Sequence, residues 1–222
     1  MHITPFHSER GCLSYLLVDP QTREAALIDP SEEVATERYL EALAKEGATL
    51  RYLIETHTHA DHISSTPALA KKTGAKIVRH TAAPSPQKDI AVTGGEVLSL
   101  GKETITVLAT PGHTNESISL RTGDAVFTGD ALLIGGTGRT DFQLGDSEAL
   151  YNTLHEALGA LPDETIVHPG HDYQGRDRST LGTERATNPR FTLPRDVFVD
   201  TMEAHHPPQP ELFEQSIATN SK

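Results

Sequence analysis

The chain has 222 residues, enough for one large domain with a layered core, and its 36% hydrophobic and 23% charged residues are ordinary for a globular protein. A formal net charge of −12 excludes a broad nucleic-acid surface, which needs a concentrated positive field, although a few arginines can still hold a small anion. No apolar run reaches the roughly 20 residues of a membrane span, the N-terminus reads as neither a secretory signal nor a transit peptide, and the single cysteine cannot form an internal disulfide. The address expected is the reducing cytoplasm.

In chain order, "GCLSYLLVD" and "EAALID" come first and read as strands, with Cys12 of the first a core thiol rather than a nucleophile. "SEEVATERYLEALAKEG" follows as a helix, with Ser31 as its cap, acids in its first turn and Gly47 at its end. "RYLIETH", a helical "HISSTPALAKKTG" and "AKIVRH" then form a strand–helix–strand crossover. "EVLSL", "TITVLAT", "SISLRT" and "AVFTGD" succeed one another as an antiparallel meander. "DSEALYNTLHEALGAL" is a helix capped by Asp146, with Leu150, Leu154 and Leu158 at helical spacing, and "TIVHPG" is the last strand. Residues 205–222, "HHPPQPELFEQSIATNSK", read as a loosely structured tail across the body, with His205 and His206 solvated. His80, His155 and His168 read as structural.

The chemistry concentrates at Thr56–Ser65, "THTHADHISS". His57, His59 and Asp61 share a parity, so an extended strand would lean them to one side, and His62 rejoins them if the chain turns. Three single candidates follow: His113 in "TPGHT", Asp130 in "FTGDALL" and His171 in "HPGHDY", each directly preceded by glycine. Any one Gly-His or Gly-Asp is a turn. Together they make a metal site of imidazole and carboxylate, suited to zinc, iron or manganese rather than calcium. The residues alone permit either one metal or two.

"HTHADH", "PGHT", "TGDALL" and "PGHDY", in this order over residues 57–173, resemble the metallo-β-lactamase superfamily. The resemblance implies an α/β fold over residues 1–222, a four-layer αββα sandwich of two mixed sheets flanked by helices. The fold hosts hydrolases, oxidoreductases and nucleases, so it does not choose a reaction. "GTGRTDFQLG" and "HPGHDYQGRDRSTLGTERATNPRF" resemble more narrowly the persulfide dioxygenases, the family of the ethylmalonic encephalopathy protein. The zinc-dependent glutathione thioester hydrolases of the glyoxalase II type are the alternative. Their segment after Gly-Arg differs, and the 51 residues after His171 are too few for their glutathione-holding domain.

The narrower resemblance implies one iron(II) per chain held by His57, His113 and Asp130, a facial triad with open positions. It implies oxidation of glutathione persulfide with dioxygen and water to sulfite and glutathione, in sulfur metabolism. His59, Asp61, His62 and His171 are then supporting residues that hydrogen-bond the ligands, or else ligands of a second metal. Glutathione carries two carboxylates and an ammonium, so Arg139, Asp141 and Tyr173 are candidate substrate contacts, followed by Arg176 and Arg190. The partners expected are glutathione persulfide and O2, with no nucleic acid, no membrane, and a homodimer.

Overall fold

Every residue of Leu13–Val18 is buried, which a strand achieves only when both its faces are covered. Leu13, Tyr15 and Leu17 enter one apolar cluster, Leu16 and Val18 another, as a two-residue period requires. In the computed structural model, which describes residues 1–222, this strand is β2 of a six-stranded sheet. The sheet runs β1 (His2–His7), β2, β3 (Glu24–Ile28), β4 (Thr49–Ile54), β5 (Lys76–His80) and β6 (Ile90–Val92). Its first three strands pair antiparallel and the rest parallel, with α1 (Thr36–Glu46) and α2 (Thr66–Thr73) crossing over.

The second sheet is the expected meander with a return. β7 (Val97–Leu100), β8 (Glu103–Ala109), β9 (Ile118–Thr122) and β10 (Ala125–Gly129) pair antiparallel. After α3 (Ser147–Asn152), β11 (Ile166–Pro169) joins β10 in parallel, and β12 (Ser179–Thr180) closes the edge. The central core lies between the sheets, with Tyr15, Ile28, Ile54 and Val78 against Leu100, Val107, Leu120 and Phe127. The outer face of the first sheet packs Leu27 and Leu53 on Tyr39, Leu43 and Leu69 of its helices. The second packs Val126 and Val167 on Leu150, Phe191, Phe198 and Met202. Two mixed sheets flanked by helices make the four layers anticipated. No helix is long and apolar enough to cross a membrane.

Two helix readings need correction. α1 starts at Thr36 after an Ala35 that offers no capping side chain. Ser31 is used elsewhere: its backbone bridges Ser64, and its hydroxyl accepts from Glu33 N–H. Asp146 does cap α3, accepting from Ala149 N–H, but the helix widens into a π-helical turn over Thr153–Ala157. The tail is also more ordered than its composition predicts. After α4 (Leu181–Thr187), α5 (Pro189–Thr192) and α6 (Arg195–Glu203), residues Phe213–Asn220 form α7 and return to the histidine-rich loop.

Candidate metal centre

β4 ends at Ile54, so Glu55–Ser65 leaves the sheet as a loop and the two-residue parity stops applying. The loop's backbone is instead pinned by side chains from distant elements. Asp29 accepts from Thr56 N–H and from Thr56 Oγ1, both at 2.7 Å. Glu116 accepts from Thr58 N–H at 2.6 Å. Asn220, on α7, accepts from Ser64 N–H and donates to the carbonyls of His59 and His62, each at 2.8 Å. As a result His57, His59 and Asp61 point into three different clusters rather than one.

His57 meets His113 and Asp130, with ligand atoms of the three all within 4.8 Å of one another. The tautomers follow from the surrounding bonds. Thr56 Oγ1 gives its proton to Asp29, so it accepts from His57 Nδ1–H at 3.0 Å and leaves Nε2 bare. His113 Nδ1–H donates to the Arg139 carbonyl at 2.7 Å, which likewise leaves Nε2 bare. Burial, with His59 and His113 alongside, holds His57 well below the usual imidazole range, so it is neutral. Burial opposes ionisation of Asp130, yet His171, His57 and His113 hold its carboxyl below the ordinary range. Asp130 Oδ2 lies 3.8 Å from His113 Nε2, and the three donors make no hydrogen bond to one another. Two imidazole lone pairs and a carboxylate oxygen gathered without a proton between them form a donor set that fits a divalent transition metal. Gly170 permits the approach, because a Cβ there would lie 2.6 Å from Asp130 Oδ1. Gly129, at φ +50°, turns the chain beneath Thr56 in a conformation few other residues tolerate.

The second cluster joins Cys12, Asp61, His62 and His171, again within 4.8 Å. Here most of the polar atoms bond to one another, although His62 Nε2 is buried without a partner. His171 Nδ1–H donates to Asp130 Oδ1 at 2.7 Å and Nε2–H to Asp61 Oδ2 at 2.9 Å. Burial works against charge on His171, but the two carboxylates raise its pKa well above the usual value, making it an imidazolium. His62 Nδ1 sits 3.0 Å from Asp61 Oδ2, and Cys12 Sγ donates to the same oxygen at 3.3 Å. Cys12 is buried as expected, but it lies just ahead of β2 and against the polar cluster. Its position three residues before the start of "YLLVD" carried no signal of this.

His59 belongs to neither set. Its Nε2 lies 3.2 Å from Asp29 Oδ1 and 3.5 Å from Glu55 Oε2 but is aligned for a hydrogen bond with neither. Burial and the neighbouring His62 push it down to about 4. Asp29, Glu55, Thr56, Glu116 and Asn220 were all missed at the level of sequence. Only Asp29, closing the "LID" strand end, and Thr56, beside His57, stand where a motif could have flagged them.

A pocket of about 450 Å³ opens over His113, Asp130, Asp61 and His171. Arg139 and Tyr173 line it, and Tyr173 stacks on His171 at 6.1 Å between ring centres. Asp141 grips the Arg139 guanidinium through both oxygens instead of facing the pocket. Arg176 and Arg190 are not in the lining. Arg176 is committed to Asp172 at 2.6 Å, and Arg190 lies on α5, whose Phe191 packs in the outer helical layer. His205 is exposed, as expected of a solvated residue, and also lines the pocket. His168 stacks on Phe127 and His155 on Tyr151, structural as anticipated.

The family model for the metallo-beta-lactamase superfamily matches residues 7–171. The mitochondrial persulfide dioxygenase ETHE1 of Bos taurus is 37% identical over 219 residues, covering 98% of this chain and 86% of the relative. The crystal structure of ETHE1 from Myxococcus xanthus superposes with a TM-score of 0.95 at 41% identity, covering 100% of this chain and 98% of that one. A hydroxyacylglutathione hydrolase of Polaromonas is 37% identical over 189 residues, but these are 82% of this chain and 66% of the relative.

Proposed function

The chain belongs to the metallo-beta-lactamase superfamily and, within it, to the persulfide dioxygenases, and from that premise we propose that it oxidises glutathione persulfide at a single iron(II). It is an iron-dependent oxidoreductase: one persulfide, one O2 and one water give glutathione, sulfite and two protons. The observation that carries this reading is the meeting of His57, His113 and Asp130, each with a bare donor atom, with His113 and Asp130 lining the pocket. When bound there, iron supplies the one-electron chemistry that lets triplet dioxygen react with spin-paired sulfur.

The protein's own groups do the rest. Thr56 and the Arg139 carbonyl hold the two imidazoles in the tautomer that keeps Nε2 free. His171 holds Asp130 at Oδ1, leaving Oδ2 directed to the centre. Asp61, partly exposed in the pocket, accepts at Oδ2 from His171 and so fixes that ring against Asp130. Phe142 and the prolines of the tail limit water in the pocket. Holding persulfide and oxygen together makes their encounter intramolecular. The buried free thiol of Cys12 supports a reducing compartment, and we assign the cytoplasm. A homodimer is part of the same proposal.

The zinc hydrolase reading draws on the second cluster, whose four residues are of ligand type. Against it, both ring nitrogens of His171 are committed to carboxylates. Oxygen uptake by iron-loaded protein supplied with glutathione persulfide tests the proposal, with sulfite as the expected product. Hydrolysis of S-lactoylglutathione without oxygen consumption would select the hydrolase instead.

A further inference from the structure

Arg139 is not free to anchor the substrate. Nε and Nη2 donate to Asp141, Nη1 donates to the Pro208 carbonyl at 2.9 Å, and Nη2 also donates to the Pro207 carbonyl at 2.8 Å. Four of the five N–H donors of a guanidinium are thereby spent, its charge is met by a carboxylate, and its flat face covers Phe142 at 4.1 Å. What the residue does is hold the tail. Pro207, Pro208 and Pro210 line the same pocket as His113 and Asp130, and their fixed φ angles make the segment cheap to immobilise. Beyond them Phe213 packs on Phe142 at 4.8 Å, and Asn220 locks the far end onto the histidine loop.

The segment also carries a free polar group. Of the basic side chains in the pocket lining, His113 and His171 are committed to the centre and Arg139 to its clip. His205 is exposed and has no side-chain hydrogen bond. The proposed substrate brings two carboxylates into a pocket whose other charged lining groups are Asp61 and Asp130. We propose that residues 205–210, clipped onto the pocket by Arg139, form the wall that recognises the peptide part of the persulfide, with His205 donating to one of its carboxylates. Arg139 is then a positioning residue and His205 a binding residue. This rests on the function proposed above.

The test uses iron-loaded protein and four chains: unmodified, His205→Ala, His205→Gln and Arg139→Ala. KM and kcat come from oxygen uptake with glutathione persulfide and with hydroxyethyl persulfide, which has no carboxylate. His205→Ala should raise KM for glutathione persulfide about tenfold, the loss expected for one hydrogen bond to a charged group. It should leave kcat within about twofold and KM for hydroxyethyl persulfide unmoved. Glutamine, which keeps a donor, should recover most of the loss. Arg139→Ala should raise KM for glutathione persulfide at least as much and speed amide hydrogen exchange across residues 209–213. The proposal is overturned by an unchanged KM in His205→Ala, by an equal shift for both persulfides, or by unaltered exchange in Arg139→Ala. If the unmodified protein consumes no oxygen with either persulfide, the dioxygenase reading fails instead. Calorimetric binding of glutathione to His205→Ala and unmodified protein then decides the wall on its own, equal affinity overturning it and weaker affinity in the variant upholding it.

Discussion

The two halves of the polar cluster are built from the same residue types and behave oppositely. In His57, His113 and Asp130 every proton that could sit between the donors is directed outward, to Thr56, to the Arg139 carbonyl, and from His171. In the second cluster the protons of His171 and of Cys12 lie inside, and the His171 imidazolium bridges the carboxylates of Asp61 and Asp130. What makes a ligand is thus not the residue type but where its hydrogen bonds leave its lone pair. A single-metal centre with a hydrogen-bonded support is the arrangement this asymmetry favours.

The contrast can be broken most forcefully at Asp130. Asp130→Asn puts an N–H or a neutral carbonyl where the set needs an anion, and metal content by elemental analysis should fall well below one per chain. Activity should fall by more than about 100-fold, beyond what loss of a supporting residue costs. His171→Gln comes next, with metal retained and activity down by roughly 10- to 100-fold, the range for a hydrogen-bond partner of a ligand. If instead it empties the site as completely as Asp130→Asn, His171 is itself a ligand and the halves are not different. Cys12→Ser should do least. Serine can still donate to Asp61, so stability measured by urea unfolding should drop by about 1 kcal/mol or less, with metal content unaltered.

Asp141 provides a control outside both halves. Its hydrogen bonds from Arg139 lower its carboxyl to about 2. A depressed carboxylate contributes stability that is fully present above its unfolded pKa of about 4 and is lost as pH falls through the folded value. The protection of amides in residues 209–213 against exchange, relative to their intrinsic rates, should therefore hold steady down to about pH 4 and fall between about pH 4 and pH 2. Loss of protection already near neutral pH would mean that the Asp141–Arg139 pair does not hold the wall.

The gathering of His57, His113 and Asp130 was legible in the chain through the order of the motifs that carry them, since ligand chemistry restricts residue type. Strands and their pairing were legible for a similar reason, since β2 or β9 must show its burial in its own composition. The assignment of His59 and Asp61 was not. A parity argument is a statement about an extended strand, and the strand stops at Ile54.

The sequence by itself determined the mixed α/β character and a pool of metal-ligating residue types, because burial periodicity and ligand type are local properties of the chain, and its motifs, through their resemblance to a family, singled out the fold and His57, His113 and Asp130. Tertiary structure alone decided which imidazole nitrogen stays bare, which acids hold the loop, and that Arg139 grips Pro207 and Pro208 rather than standing free in the pocket it lines. Those outcomes depend on hydrogen bonds between residues as far apart as Asn220 and His59, or Arg139 and Pro207. Such partners are matched by folding, and neither end carries a mark of the other.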